Sequence, residues 1–219
     1  DELWRSDGTE AGTVLVKDIV PGPLASAPEL LTPARGQFYF RAGTVNEGRE
    51  LWKSDGTEAG TVLIKDIQPG PLGSFPWEFA LHGATLYFGA DDGTSGVELW
   101  KSDGTEAGTV LVRDIRPGLD PSYPMHLTPS GGFVYFTADD GVNGSEVWRT
   151  NGTPGGTAMV GSIVAASDQE PFGLTDLGGV LYFRADDGLH GSELWRTDGT
   201  APGTYVLDLN PGPAPSQPD

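Results

Sequence analysis

The chain has 219 residues, of which 37% are hydrophobic and 10% aromatic, too many for a disordered tail and enough for a buried core. A formal charge of −18 repels phosphate backbones and argues against nucleic acid as a partner. The absence of cysteine excludes disulfides, thiolate metal sites and a cysteine nucleophile, and no apolar run reaches membrane-spanning length.

From the first residue, Glu2-Leu3-Trp4 reads as a strand, Asp7-Gly8-Thr9 as a turn and Val14-Leu15-Val16 as a second strand. The chain opens in mid-pattern and shows no leader, as a mature piece or a fragment would. After residue 27 a longer unit begins and is repeated. In residues 76–123 it reads as four strands. Residues 76–81 form a short alternating run ending at His82-Gly83, and residues 85–90 an aromatic run ending at Asp91-Asp92-Gly93. Residues 97–101 carry Val-Glu-Leu-Trp-Lys and end at Asp103-Gly104-Thr105. Residues 108–115 end at Pro117-Gly118. No stretch carries apolar residues at helical spacing.

Two markers fix the period. The Trp of Glu-Leu-Trp stands at Trp4, Trp52, Trp100, Trp148 (in a Glu-Val-Trp variant) and Trp195. The Tyr-Phe pair begins at Tyr39, Tyr87, Tyr135 and Tyr182. Both give spacings of 48 residues, with 47 at the last step. An antiparallel four-stranded unit of this length, repeated around an axis, is a propeller blade. The expected fold is therefore an all-β, five-bladed β-propeller in one domain. Residues 1–27 form a half blade, and complete blades span residues 28–75, 76–123, 124–170 and 171–217. Three readings of the half blade stay open: a cut from a longer propeller, a ring closed with one reduced blade, or pairing with another chain to form a homo-oligomer.

The string Glu-Leu-Trp-Lys-Ser-Asp-Gly-Thr-Glu-Ala-Gly-Thr, at residues 50–61 and again at 98–109, resembles the ELWxxDGT repeat family over essentially the whole chain. The resemblance implies repeat architecture in a large, mostly bacterial protein, secreted or at the cell surface and frequent in myxobacteria. It brings no catalytic residues. The chain departs from the pattern at Asn46-Glu47-Gly48, at Asn151, and over residues 162–170, where the Pro-Gly-Pro return is lost.

The Asp-Gly-Thr turn recurs in every blade and reads as structural. The Asp-Asp-Gly-x-x-Gly-x-Glu segments offer three oxygen ligands each. They make Asp91, Asp92 and Glu98, then Asp139, Asp140 and Glu146, then Asp186, Asp187 and Glu193 candidates for calcium, although the glycines suit a hairpin equally well. Trp52, Trp100, Trp148 and Trp195 read first as packing between blades and second as sugar-stacking platforms, one weak site per blade. Trp77 has no Trp counterpart in the other blades and is the best candidate for an exposed ligand contact. His82, His126, His190 and Tyr205 are also unrepeated, but the histidines share no repeat position and do not form a zinc set. Two Asn-Gly-Ser/Thr sequons, at Asn143 and Asn151, lie in turns.

Every acidic motif is copied around the ring, whereas an active site needs one asymmetric cluster. The sequence thus reads as a non-enzymatic, extracellular adhesion or assembly module meeting protein or glycan at a surface. A multivalent lectin is the alternative, and a propeller glycoside hydrolase stands third.

Overall fold

The computed structural model describes residues 1–163 and 170–216. Its eighteen strands form one two-stranded and four four-stranded antiparallel sheets, each a simple meander. The half blade pairs β1 (Leu3–Arg5) with β2 (Val14–Lys17). Blade I holds β3 (Glu29–Ala34), β4 (Gln37–Thr44), β5 (Gly48–Ser54) and β6 (Val62–Lys65). Blade II holds β7 (Trp77–His82), β8 (Thr85–Asp91), β9 (Val97–Ser102) and β10 (Val110–Arg113). Blade III holds β11 (Met125–Ser130), β12 (Phe133–Asp139), β13 (Ser145–Thr150) and β14 (Ala158–Met159). Blade IV holds β15 (Phe172–Leu177), β16 (Val180–Asp186), β17 (Ser192–Thr197) and β18 (Tyr205–Leu207). First strands touch first strands from blade to blade, so β3, β7, β11 and β15 gather at a common hub. The architecture is that of a β-propeller.

The core lies between sheets. At the I/II junction Tyr39, Leu51, Ile64 and Ile67 of one blade pack against Leu86, Phe88, Ala90 and Trp100 of the next. The same set recurs at II/III with Tyr87, Leu99 and Trp148, and at III/IV with Tyr135, Val147 and Trp195. This explains why the central strands are apolar on both faces: each is covered twice. Burying one Trp here contributes roughly 4–6 kcal/mol from its ~150–250 Å² of surface.

Stitches from a cationic side chain to a main-chain carbonyl reinforce the stacking, and the following ones run one way. Lys53 Nζ donates to Gly104 O of the following blade at 2.8 Å, and Lys101 Nζ to Gly152 O at 2.7 Å. Lys17, Lys65 and Arg113 donate to the carbonyls of Thr61, Thr109 and Thr157 of their following blades at 2.8, 2.9 and 2.6 Å.

Candidate functional site

The repeated motifs are occupied by the fold itself. In each Asp-Gly-Thr turn the Asp carboxylate accepts from the backbone and hydroxyl of the Thr, as Asp55 does from Thr57 at 2.9 and 2.6 Å. Asn151 keeps the same two bonds to Thr153, so its departure from the pattern costs the turn nothing. These hydrogen bonds to Thr hold Asp7, Asp55, Asp103 and Asp198 below the usual carboxylate range.

The Asp-Asp-Gly segments are divided between two tasks. Asp91 and Asp92 close the hairpin, accepting from Gly93 N at 2.7 Å and from Thr94 N and Ser95 N at 2.8 and 2.7 Å. Asp139 and Asp140 do the same with Gly141, Val142 and Asn143, and Asp186 and Asp187 with Gly188, Leu189 and His190. The Glu turns elsewhere. Glu98 is fully buried and accepts from Ile115 N, Arg116 N and Ser122 Oγ at 3.0, 3.2 and 2.7 Å, anchoring the connector that leads to the next blade. Glu50, Glu146, Glu193 and Glu2 hold their own connectors likewise. Among the described residues no three His, Asp or Glu converge as a metal-ligand set. The calcium triads are thereby split by geometry, because the hairpin claims the two Asp and the connector claims the Glu. The second glycine of the segment has its own reason: at Gly96 (φ +67°) a Cβ would stand 2.7 Å from Leu119 O of the passing connector.

The Trp platforms are corrected by burial. Trp52, Trp100, Trp148 and Trp195 are only 5–8% exposed, sealed between sheets, and the indoles of Trp148 and Trp195 donate to Ala138 O and Ala185 O. Each has a blade packed over it, so none presents a face to a sugar.

Divergence between the repeats is concentrated elsewhere, where the first strands begin. The first residue of each first strand pairs with one residue of the second: Glu29 with Arg41, Trp77 with Gly89, Met125 with Thr137 and Phe172 with Arg184. These pairs change together. Glu29 forms ion pairs with Arg41 and, at 2.8 Å, Arg49. Arg184 lies 4.9 Å from the centre of the Phe172 ring. Trp77 lies across Gly89, where a Cβ would come within 1.8 Å of the indole nitrogen. A bulge follows in every first strand and puts Leu30, Glu78 and His126 at φ of +54° to +59°, a position filled by Gly173 in blade IV. Left-handed backbone at non-glycine residues costs on the order of 1 kcal/mol each and gathers at functional sites. At the hub His126 N donates to Glu78 Oε2 at 2.9 Å.

Beside Trp77 the I/II junction opens into a pocket of about 390 Å³, lined by Gln68, Leu72, Phe75, Trp77, Asp91 and Tyr123 among others. Phe75 and Tyr123 are 54% and 53% exposed, and the Trp77 and Tyr123 rings stand 5.9 Å apart at 50°. The sequence singles out Trp77 as unrepeated, and the structure places it in the wall of this pocket. Phe75, Tyr123, Gln68 and Asp91 as its neighbours are not legible there, because they come from one strand of blade II and two connectors. Of the other unrepeated residues, His190 Nδ1 lies 2.7 Å from Asp187 Oδ2 and Tyr205 accepts from Arg196, each within its own blade.

No family model and no curated protein matches the sequence. Solved structures match the fold. Puromycin hydrolase, in its S511A mutant complexed with PGG, is similar at 15% identity and a TM-score of 0.55, over 94% of this chain and 32% of that one. A structure from a study of two prolyl endopeptidases is similar at 13% and 0.51, over 81% and 25%. Xyloglucan PUL GH43B of Bacteroides ovatus is similar at 15% and 0.39, over 86% and 42%. The chain thus spans a third or less of the puromycin hydrolase and prolyl endopeptidase chains.

The first two likenesses establish a shared fold, and they correct the expectation of a non-enzymatic adhesion or assembly module. That expectation took regular repetition as grounds to exclude an enzyme. The same fold occurs in puromycin hydrolase and in a prolyl endopeptidase, so regular repetition of blades is no ground to exclude an enzyme. The multivalent lectin falls with it, since its platforms are buried. The aromatic pocket at the I/II junction has a lining that differs from that of the pocket at the junction of the half blade with blade I. Among the described residues no helix is long and apolar enough to cross a membrane.

Proposed function

We propose that this propeller binds a ligand at one place, the pocket between blades I and II walled by Phe75, Trp77 and Tyr123. The observation that carries the reading is the convergence of three partly exposed aromatic side chains and one carboxylate, Asp91, in a pocket of about 390 Å³. Ligand sites are concave and mostly apolar, with a few polar groups that fix orientation. Here the apolar walls belong to the part of the blade that varies between repeats, while the frame holding them is repeated. The packing of Trp77 on Gly89 sets the indole in place before a ligand arrives, which lowers the ordering cost of binding. The resemblance of the repeat to secreted bacterial proteins supports an extracellular setting.

The test is a thermal-shift screen of amines, sugars, carboxylates and short peptides against the full chain and against Trp77→Ala. At least one class is expected to raise the melting temperature of the parent chain and not that of the variant. If every ligand that shifts the parent shifts Trp77→Ala equally, the site is misplaced.

A further inference from the structure

Three successive blade junctions bring together the same two repeat positions, one on the connector and one at the end of the second strand, shifted by 48 residues each time. At the II/III junction Arg116, from the connector leaving blade II, places its guanidinium 2.8 Å from the Asp139 carboxylate of blade III. At the I/II junction the corresponding residues are Gln68 and Asp91, both in the wall of the aromatic pocket. At the junction of the half blade with blade I they are Val20 and Gly43, both in the wall of the pocket there. Where the carboxylate is absent the cation is absent too. At the I/II junction alone of these three, the carboxylate is kept and its arginine replaced by a neutral, shorter side chain. The backbone frame is the same in both places: a Cβ on Gly93 would meet the Gln68 side chain, and a Cβ on Gly141 would meet that of Arg116.

We infer that the pocket of blades I and II takes a guanidinium or ammonium group from a ligand, seated against Asp91 where the neighbouring junction seats its own Arg116. The inference rests on the reading of this pocket as the ligand site. Three further observations agree with it. The walls Phe75, Trp77 and Tyr123 present aromatic faces, whose negative quadrupoles attract cations. Phe75 already receives one, since the Arg49 guanidinium lies 5.8 Å from its ring centre. The chain as a whole carries a charge of −18, which raises the local concentration of cations and repels anions. Arg49 itself is held by Glu29, which also pairs with Arg41. The ligand's source is a free guanidino compound or an arginine or lysine side chain on a peptide, which share this chemistry.

Calorimetric titration of the full chain separates the outcomes. The probes are acetyl-arginine amide and a pentapeptide with one central arginine, each beside its uncharged citrulline counterpart. An affinity on the order of 1 mM or tighter is expected for the arginine probes, weakening as salt is raised. Asp91→Asn, which keeps the oxygen that closes the Gly93 turn, is expected to weaken binding at least about tenfold, and citrulline to bind as weakly. Gln68→Arg, which rebuilds the pair seen at Arg116 and Asp139, is expected to block the site from within. The tighter of the two arginine probes identifies the source. Equal binding of citrulline and arginine, or unchanged binding by Asp91→Asn, overturns the inference. If a neutral ligand shows binding that depends on Trp77 while the arginine probes show none, the pocket reading survives and the cation inference falls. If no ligand depends on Trp77, both fall.

Discussion

The half blade and the complete blades carry nearly the same sequence and differ in what covers them. Trp4 and Trp100 occupy one repeat position, yet Trp4 is 58% exposed and Trp100 is 6% exposed. Both sit on a third strand beside a Glu that anchors the connector. Trp100 has the second strand of its own sheet at its side and Tyr39, Leu51 and Ile64 of blade I over its ring. Trp4 has neither. The difference shows that the Glu-Leu-Trp motif does not bury its own tryptophan. The neighbours do, and the motif only sets the ring where they can reach it.

The comparison is sharpened most by truncation. Trp100→Ala is expected to cost about 3–5 kcal/mol in denaturant unfolding, and Trp4→Ala less than about 1 kcal/mol, with acrylamide quenching Trp4 fluorescence far more than that of the sealed indoles. Equal losses would break the comparison, since they would mean that the motif stabilises each blade from within.

The glutamates of the same motif give a second, smaller contrast. Burial pushes the Glu98 carboxyl up to about 7, against the hydrogen bonds from Ser122, Ile115 and Arg116. Around Glu2 the burial penalty is smaller than the sum of the hydrogen bonds from Ser26, Ile19 and Val20, and its carboxyl is held below the ordinary value of 4.5. The signs are therefore opposite. Between pH 4.5 and about 7 the folded chain holds a proton on Glu98 that the unfolded chain has released. Its contribution to stability is full below 4.5 and is lost as pH rises through about 7. Glu2 binds its proton less readily when folded, so its contribution is present above 4.5 and is lost as pH falls through its depressed folded value. Melting curves from pH 3 to 8 are expected to show Glu98→Gln flattening the alkaline decline and Glu2→Gln flattening the acid one. Declines left unchanged by both variants would mean that general charge repulsion sets the pH response.

The smallest effect compares two junctions. Arg116→Gln gives the II/III junction the residue that the I/II junction carries at Gln68. Because Arg116 and Asp139 are each about one-third exposed, the loss is expected to stay below about 1 kcal/mol. A larger loss in thermal unfolding would show that the pair holds the blades together, and would weaken the claim that its counterpart at Gln68 was released for binding.

Most of the frame was legible before any coordinates. The 48-residue period, the doubly apolar second strands and the Gly/Asp/Pro turns define sheet order and strand count, because each is a local demand repeated in the chain. What escaped is what the repeat brings together from a distance. Glu98 reads as an acidic neighbour of Asp91 and Asp92, yet β9 turns its side chain toward Ile115 and Ser122, far along the chain. The bulge at Glu78 and His126 hides in residues that do not ordinarily adopt positive φ, and only Gly173 at the same position signals it. The exchange of Arg116 for Gln68 is plain in the sequence. It gains meaning only once Asp91 and Asp139 are seen to face those two residues across a junction.

The one-way lysine stitches give the molecule a head and a tail. Lys17, Lys53, Lys65, Lys101 and Arg113 each reach forward to a carbonyl of the following blade, so for these contacts a sheet offers cations on one side and carbonyls on the other. Two identical faces set against each other would oppose cation to cation or carbonyl to carbonyl. Any further sheet that joins this stack must therefore arrive in the same orientation as those already there, and growth or closure of such an array is vectorial.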